Sequence, residues 1–336
     1  MTFAPQPQQR IVPGYGSKTA RICIVGEAPG AEEDRVLRPF AGPAGTVLES
    51  CLHAASLTRS DCYMTNVVKV KPRNNEIEPY YNGATGGFTA AGQDWLDILE
   101  AELLDITSNV IVALGSTALA AMTGRKSISK YRGYVHESLP RFGSRKVIPA
   151  YHPAASLRGQ YILRYYITAD LKKAKKEAEY PAVIRPERKI IIPTTLVEVA
   201  EWAEYLLKQP IWAIDIEVMN FEVSAVGFAP ATNLAISFPL SGQHWTEDEE
   251  CVVWRWMNQL LNSKCRKVLQ NGIFDINFLA TQCAIHVSEP IEDTMIAHHV
   301  MYPEMLKGLG FLGSMYCNSQ EYWKDAVKFT NIKEES

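Results

Sequence analysis

The sequence predicts two α/β domains in tandem, on three observations. At 336 residues the chain has enough material for two separate cores. From residue 20 to about 177, short apolar runs alternate with segments of helical apolar spacing, the pattern of a parallel sheet covered on both faces. From 178 to 189 the chain turns charged and carries Pro181 and Pro186, a linker composition, and a new series of strands and helices runs from 190 to 336. Residues 1–19, opening on a Gln/Pro-rich run, are expected to form a flexible tail.

In chain order, Ala20 to Val25 is the first predicted strand, because an apolar run ends at Gly26 in a Gly/Pro-punctuated loop. That loop, Gly26 to Gly45, carries Glu27, Glu32, Glu33, Asp34 and Phe40 before helical spacing starts at Thr46 and runs to Leu57. Cys62 to Val68 is the second strand and Gln93 to Leu104 a helix. Val110 to Leu114 is a buried strand stopped by Gly115, with a short helix over Ser116 to Met122. Lys146 to Ala150 is the last strand and delivers Tyr151-His152-Pro153 to its end. In open α/β sheets ligands bind past the carboxyl ends of strands, where the loops after Val25, Val68 and Ala150 would converge.

The second domain opens with a strand at Ile190 to Ile192 and an amphipathic helix at Leu196 to Lys208. Trp212 to Glu217 is a strand with Asp215 and Glu217 at i and i+2, hence on one face. Val223 to Phe228 and Leu234 to Phe238 continue a meander; NGIFD (271–275) and DTMIAHH (293–299) follow.

Charge is uneven. Residues 1–179 hold 22 Lys and Arg against 17 Asp and Glu, and the remainder holds 12 against 20. Between Gly124 and Lys176 there are 13 basic residues and two acids, a belt that brackets His152 and suits a phosphate-tracking surface; Lys172-Lys173 and Lys175-Lys176 also read as a solvated helix face. Seven scattered cysteines without a C-x-x-C argue against a disulfide framework and a clustered metal site. No apolar run is long enough to span a bilayer and no signal pattern opens the chain, so a cytoplasmic protein without membrane contact is expected.

The loop GEAPGAEED with PFAGPAG, then TNVVK (65–69), then YHPAASL (151–157), resembles the uracil-DNA glycosylase superfamily, its family 4 type in particular, from about Ile22 to Lys176. Any one motif is weak; three in order are specific. The resemblance implies a flipped uracil stacked on Phe40, read by Asn66 and touched by the backbone of Gly26 to Ala28. It implies His152 stabilising the departing uracil anion, and Glu27, assisted by Glu33, positioning water and offsetting charge on the sugar. Ala28 stands where other branches of the superfamily carry a water-activating Asp. Each residue has a plainer alternative: Phe40 as core, Asn66 as a strand-end cap, His152 as a turn histidine.

The family 4 type usually holds an iron–sulfur cluster on four cysteines. Here no Cys precedes Cys23, Val70 falls where a ligand would, and no Cys lies between Cys62 and Cys251. The expectation is a glycosylase without the cluster, with the Gly-rich insertion Asn74 to Gly92 as a packing or DNA-contacting replacement.

From about Ile190 to Asp325 the chain resembles the proofreading 3′–5′ exonuclease domain of family A DNA polymerases, which implies an RNase H-like α/β fold. Asp215, Glu217 and Asp275 match three of its four metal-binding acids, suited to Mg²⁺ or Mn²⁺, and Asp293 reads as structural. No Y-x-x-x-D follows Tyr302; Tyr322 and Asp325 are one residue short of that spacing, so the domain is expected to be incomplete at its C-terminus.

The implied function is uracil removal from single- or double-stranded DNA, leaving an abasic site, by a domain fused to a truncated proofreading exonuclease of a phage-like polymerase. The alternative is a non-catalytic, uracil-sensing, DNA-binding accessory part of a split polymerase, with a separate DNA polymerase polypeptide as partner.

Overall fold

The computed structural model describes residues 10–240, 244–317 and 322. Two units separate at Arg185/Pro186 and again at Leu309/Gly310, so the described residues Gly310 to Cys317 group with the first unit. The sequence placed them in the second.

In the first unit, β1 (Ile22–Gly26), α1 (Ala31–Val36), α2 (Pro43–Ala54) and β2 (Cys62–Asn66) are followed by a hairpin of β3 (Tyr81–Asn82) and β4 (Gly87–Phe88). Then come α3 (Ala90–Leu104), β5 (Val110–Leu114), α4 (Ser116–Thr123), α5 (Ile128–Tyr131), β6 (His136–Glu137), β7 (Lys146–Ala150), α6 (Pro153–Leu157) and α7 (Leu163–Glu177). The sheet runs β2-β1-β5-β7-β6, parallel except for the short antiparallel edge β6. Every residue of β1, β2, β5 and β7 is buried, which is why their sequences do not alternate. Two apolar layers flank the sheet, one centred on Leu48, Leu52 and Ile167, the other on Leu99, Leu103 and Met122. Burying such a side chain stabilises by roughly 1.5–3 kcal/mol.

Three local expectations change. The helix expected from Thr46 begins at Pro43, because Gly42 caps it and proline suits a first helical position. The loop after Gly30 folds into α1. The tail expected over 1–19 is ordered by pairing from Val12, whose N–H donates to Lys69 O at 2.8 Å, and Tyr15 bridges Met64.

In the second unit, β8 (Lys189–Ile191), α8 (Leu196–Leu207), β9 (Ile211–Met219), β10 (Glu222–Ala231) and β11 (Leu234–Pro239) precede α9 (Glu247–Leu261), β12 (Arg266–Leu269), α10 (Ile273–Gln282), β13 (Ile291–Asp293) and α11 (Thr294–Met301). The sheet order is β13-β12-β9-β10-β11-β8, with β9, β10 and β11 antiparallel and β12 and β13 parallel to β9. This meander followed by parallel crossovers is the RNase H-like arrangement. Trp212, Phe228, Phe238 and Met257 anchor its separate core. The last described helix, α12 (Leu309–Tyr316), packs from Gly310 on in the first unit. Among the described residues, no helix is long and apolar enough to cross a membrane.

Candidate active site

The carboxyl ends of β2, β1, β5 and β7 lie side by side, and each delivers a side chain or turn to one place. Gly26 ends β1 in register with Asn66 at the end of β2. Beyond that register, Val67 and Val68 donate N–H groups to Gly26 O and Glu27 O, both at 2.9 Å, fixing the loop against the strand. A Cβ on Gly26 would lie 2.3 Å from Asn66 Oδ1 and 2.7 Å from Phe40 Cζ. The amide and the aromatic ring therefore meet over a backbone that only glycine permits. Ala28 packs partly buried against the second apolar layer.

Phe40 is 4% exposed and belongs to the first apolar layer, and its backbone is left-handed, with φ 54°, an unusual state for a bulky residue. Arg59 holds it there, donating from Nη1 to Phe40 O at 3.0 Å and from Nη2 to Pro39 O at 2.9 Å. Glu33 closes the same loop. Its two oxygens accept from Gly30 N at 3.1 Å and Gly42 N at 3.2 Å, so the carboxylate expected to assist in chemistry is engaged in bracing the Phe40 turn. Behind Asn66, Glu102 accepts from Tyr63 Oη at 2.8 Å and Thr65 Oγ1 at 3.1 Å and pairs with the buried Lys69.

His152 caps α6 after β7. Its Nδ1 accepts from Ala154 N at 3.2 Å, which leaves Nε2 to carry the proton. Burial, with the Arg158 charge adding, pulls its pKa down to about 4, so the ring is a neutral donor at pH 7. The His152 and Phe40 rings lie 6.3 Å apart between centroids. Gly115, at φ 89°, brings the start of α4 within 3.2 Å of His152 Cβ, measured from an added Cβ. On that helix, Thr117 Oγ1 donates to Glu27 Oε2 at 2.6 Å. Thr117 and Arg59 are absent from the three sequence motifs. Only the Gly after an apolar strand signalled Thr117, and nothing local signalled Arg59.

Folding removes part of the basic belt from the surface, while Lys126, Arg158, Lys172, Lys175 and Lys176 stay exposed. Arg132, Lys146 and Lys173 are buried. Arg132 Nε meets Asp170 Oδ2 at 3.1 Å, Lys146 meets Glu177 at 3.1 Å, and Arg141 donates to Glu100 at 2.8 Å. Lys173, read from sequence as solvated, donates instead to Gly133 O at 2.7 Å and Cys317 O at 2.9 Å. What stays exposed beside His152 is the tip from Leu157 to Tyr161, with Arg158 on it.

Among the described residues of the first unit, the cysteines, Cys317 included, form no group that could hold a metal cluster. Cys23, Cys51 and Cys62 are buried separately in β1, α2 and β2, and burial pushes each thiol up, Cys62 to about 12, against the thiolate a cluster requires. Val70 is 2% exposed, and the insertion lays Tyr81 against Phe88, 4.9 Å between ring centroids, while Tyr80 and Phe88 pack against the apolar layer that holds Val70.

In the second unit, Asp275 on α10 accepts from Ile216 N at 3.2 Å, between Asp215 and Glu217 on β9. Burial and the neighbouring charges of Asp275 and Glu217 raise the Asp215 carboxyl to about 6. Carboxylate oxygens are the donors that Mg²⁺ or Mn²⁺ takes, but among the described residues no group of three or more His, Cys, Asp or Glu side chains is arranged to hold a metal ion. Asp293 caps α11, accepting from Gly272 N at 2.7 Å and Met295 N at 2.8 Å. Asp325, the candidate for a fourth acid, lies outside the described residues.

Residues 13–175 match the profile of the uracil DNA glycosylase superfamily. A type-4 uracil-DNA glycosylase of Thermotoga maritima is 41% identical over 169 residues, 49% of this chain and 81% of that protein. The chain belongs to the uracil-DNA glycosylase superfamily. The type-4 enzyme of Archaeoglobus fulgidus is 38% identical over 168 residues, 48% of this chain and 79% of that protein. Residues 190–330 match the 3′–5′ exonuclease profile, so a 3′–5′ exonuclease domain follows the glycosylase domain. A DNA polymerase of Bacillus phage SP01 is 24% identical over 332 residues, 89% of this chain but 34% of that protein.

Proposed function

We propose that the first domain hydrolyses the N-glycosidic bond of uracil in DNA and leaves an abasic site. The observation that carries this reading is the closure of Asn66 Oδ1 and the Phe40 ring over Gly26, beside a neutral His152 whose Nε2–H is free to donate. A flipped uracil stacks on Phe40 and pairs its edge with Asn66. As the C1′–N1 bond breaks, the bonding pair leaves with uracil, and the anion is met by the His152 Nε2–H. Glu27 orients a water and takes its proton as the oxygen bonds to C1′. Glu33 acts through the loop it braces, as a positioning residue.

The exposed tip Leu157 to Tyr161, with Arg158, supplies the rim against DNA. No step uses an iron–sulfur cluster, since the cysteines do not fit one. The similarity to a phage DNA polymerase over 332 residues favours a second reading for the whole chain, action alongside polymerase functions, with Asp215, Glu217 and Asp275 as an exonuclease metal site for Mg²⁺ or Mn²⁺.

The test is alkaline cleavage of uracil-containing single- and double-stranded oligonucleotides in EDTA. Scission at uracil by the wild type, lost in Glu27→Ala and His152→Ala, is the expected result. Uracil-selective binding without scission would replace the enzyme with a sensor.

A further inference from the structure

Glu27 has a partner that comes from 90 residues away. Thr117 sits in the first turn of α4, 2% exposed, and its Oγ1 donates to Glu27 Oε2 at 2.6 Å. Further along the helix Thr123 bonds back to Leu119 O, four residues earlier, at 2.8 Å. Thr117 stands in the first turn, where the residue four earlier, Ala113, lies in β5, and its hydroxyl crosses from the end of β5 to the loop after β1 to reach a carboxylate. Gly115 makes this reach possible, because its left-handed backbone turns β5 sharply into α4.

We propose that Thr117 is a positioning residue for Glu27, anchoring Oε2 so that Oε1 faces the attacking water. The proposal rests on the assignment of Glu27 as the water-orienting acid. Burial, and after it the Glu27 charge, push up the phenol of the buried Tyr81 in the insertion hairpin. Held from α4 by the Thr117 bond, Glu27 keeps one orientation, where a freely rotating carboxylate would lose the geometry of attack.

The experiment compares wild type, Thr117→Val, Thr117→Ser, Glu27→Gln and the Thr117→Val/Glu27→Gln double variant by single-turnover uracil release, substrate Kd and thermal midpoint. Val keeps the volume and removes the hydroxyl; Ser restores it. The expected result is a drop of about 10- to 100-fold in the chemical rate for Thr117→Val, with Kd within about twofold, recovery in Thr117→Ser, and no further loss when Thr117→Val is added to Glu27→Gln. An undiminished rate in Thr117→Val, no recovery in Thr117→Ser, or an additive loss in the double variant would overturn the proposal. A wild-type rate in Glu27→Gln would overturn the Glu27 assignment itself, and a separate fall in Thr117→Val would then have to arise elsewhere. A lowered thermal midpoint with weakened Kd in Thr117→Val, not repaired by Ser, would mark Thr117 as structural only.

Discussion

In the proposed glycosylase reading, Gly26 and His152 are single residues whose placement sets the chemistry. Because a methyl on Gly26 would meet Asn66 Oδ1 at 2.3 Å, Gly26→Ala must push Asn66 or Phe40 out of the pocket. Its uracil affinity should fall at least tenfold, read by titration of uracil-containing oligonucleotide, while the unit stays folded. His152 carries a second prediction, with a definite sign. Its folded pKa of about 4 lies below the ordinary value of 6.5, so the folded protein disfavours the charged ring. Between pH 6.5 and 4 the unfolded chain takes up the proton first, so this group's contribution to stability is intact above pH 6.5 and declines as pH falls to 4. Activity should show no loss from His152 protonation down to about pH 5. Replacing it with Ala should cost about 10²–10³ in rate, the usual loss of one oxyanion donor. The sequence made these residues legible because each follows an apolar run ending in a turn. It could not show that Glu33 is occupied by two backbone amides.

Helix α12 and the β3–β4 hairpin are the elements whose roles only packing reveals. Arg132 Nη1 donates to Ser314 Oγ at 3.0 Å, Tyr134 Oη donates to Gly310 O at 2.5 Å, and Lys173 is bonded to carbonyls of α12 and Cys317. Burial pulls Lys173 down to about 8 even with these partners. Removing residues 310–336 should therefore destabilise the first unit by about 1–3 kcal/mol for each buried donor left without its acceptor, measured by urea unfolding of that unit's transition. The hairpin yields a composition test. With Val70, Tyr80 and Phe88 packed in one apolar layer, the purified protein should carry far less than stoichiometric iron and acid-labile sulfide, and chelation should leave uracil release unchanged.

At the scale of the whole molecule, the proposed glycosylase site and the carboxylates of β9 and α10 lie in two separately cored units. Asp215→Asn and Asp275→Asn should weaken Mn²⁺ binding, followed by electron paramagnetic resonance, and leave uracil release at the wild-type rate. A shared loss would mean that the two sites are not independent.

The sequence by itself determined where the strands end and which residues stand there, because burial on both faces writes an apolar run and the following turn writes a glycine. That was enough for the α/β architecture, the three glycosylase motifs and the paired acids of β9. Tertiary structure alone decided the partners. Thr117 reaches Glu27 across 90 residues, Arg59 clamps Phe40 across 19, and Arg132 reaches Ser314 across 182. It also turned much of a run of basic residues from an apparent DNA-facing belt into buried and internally paired cations, since charge in sequence says nothing of which side of a helix finds a carboxylate or a carbonyl. Such pairings have no local signature; they exist only once the strand ends and helices have been brought together.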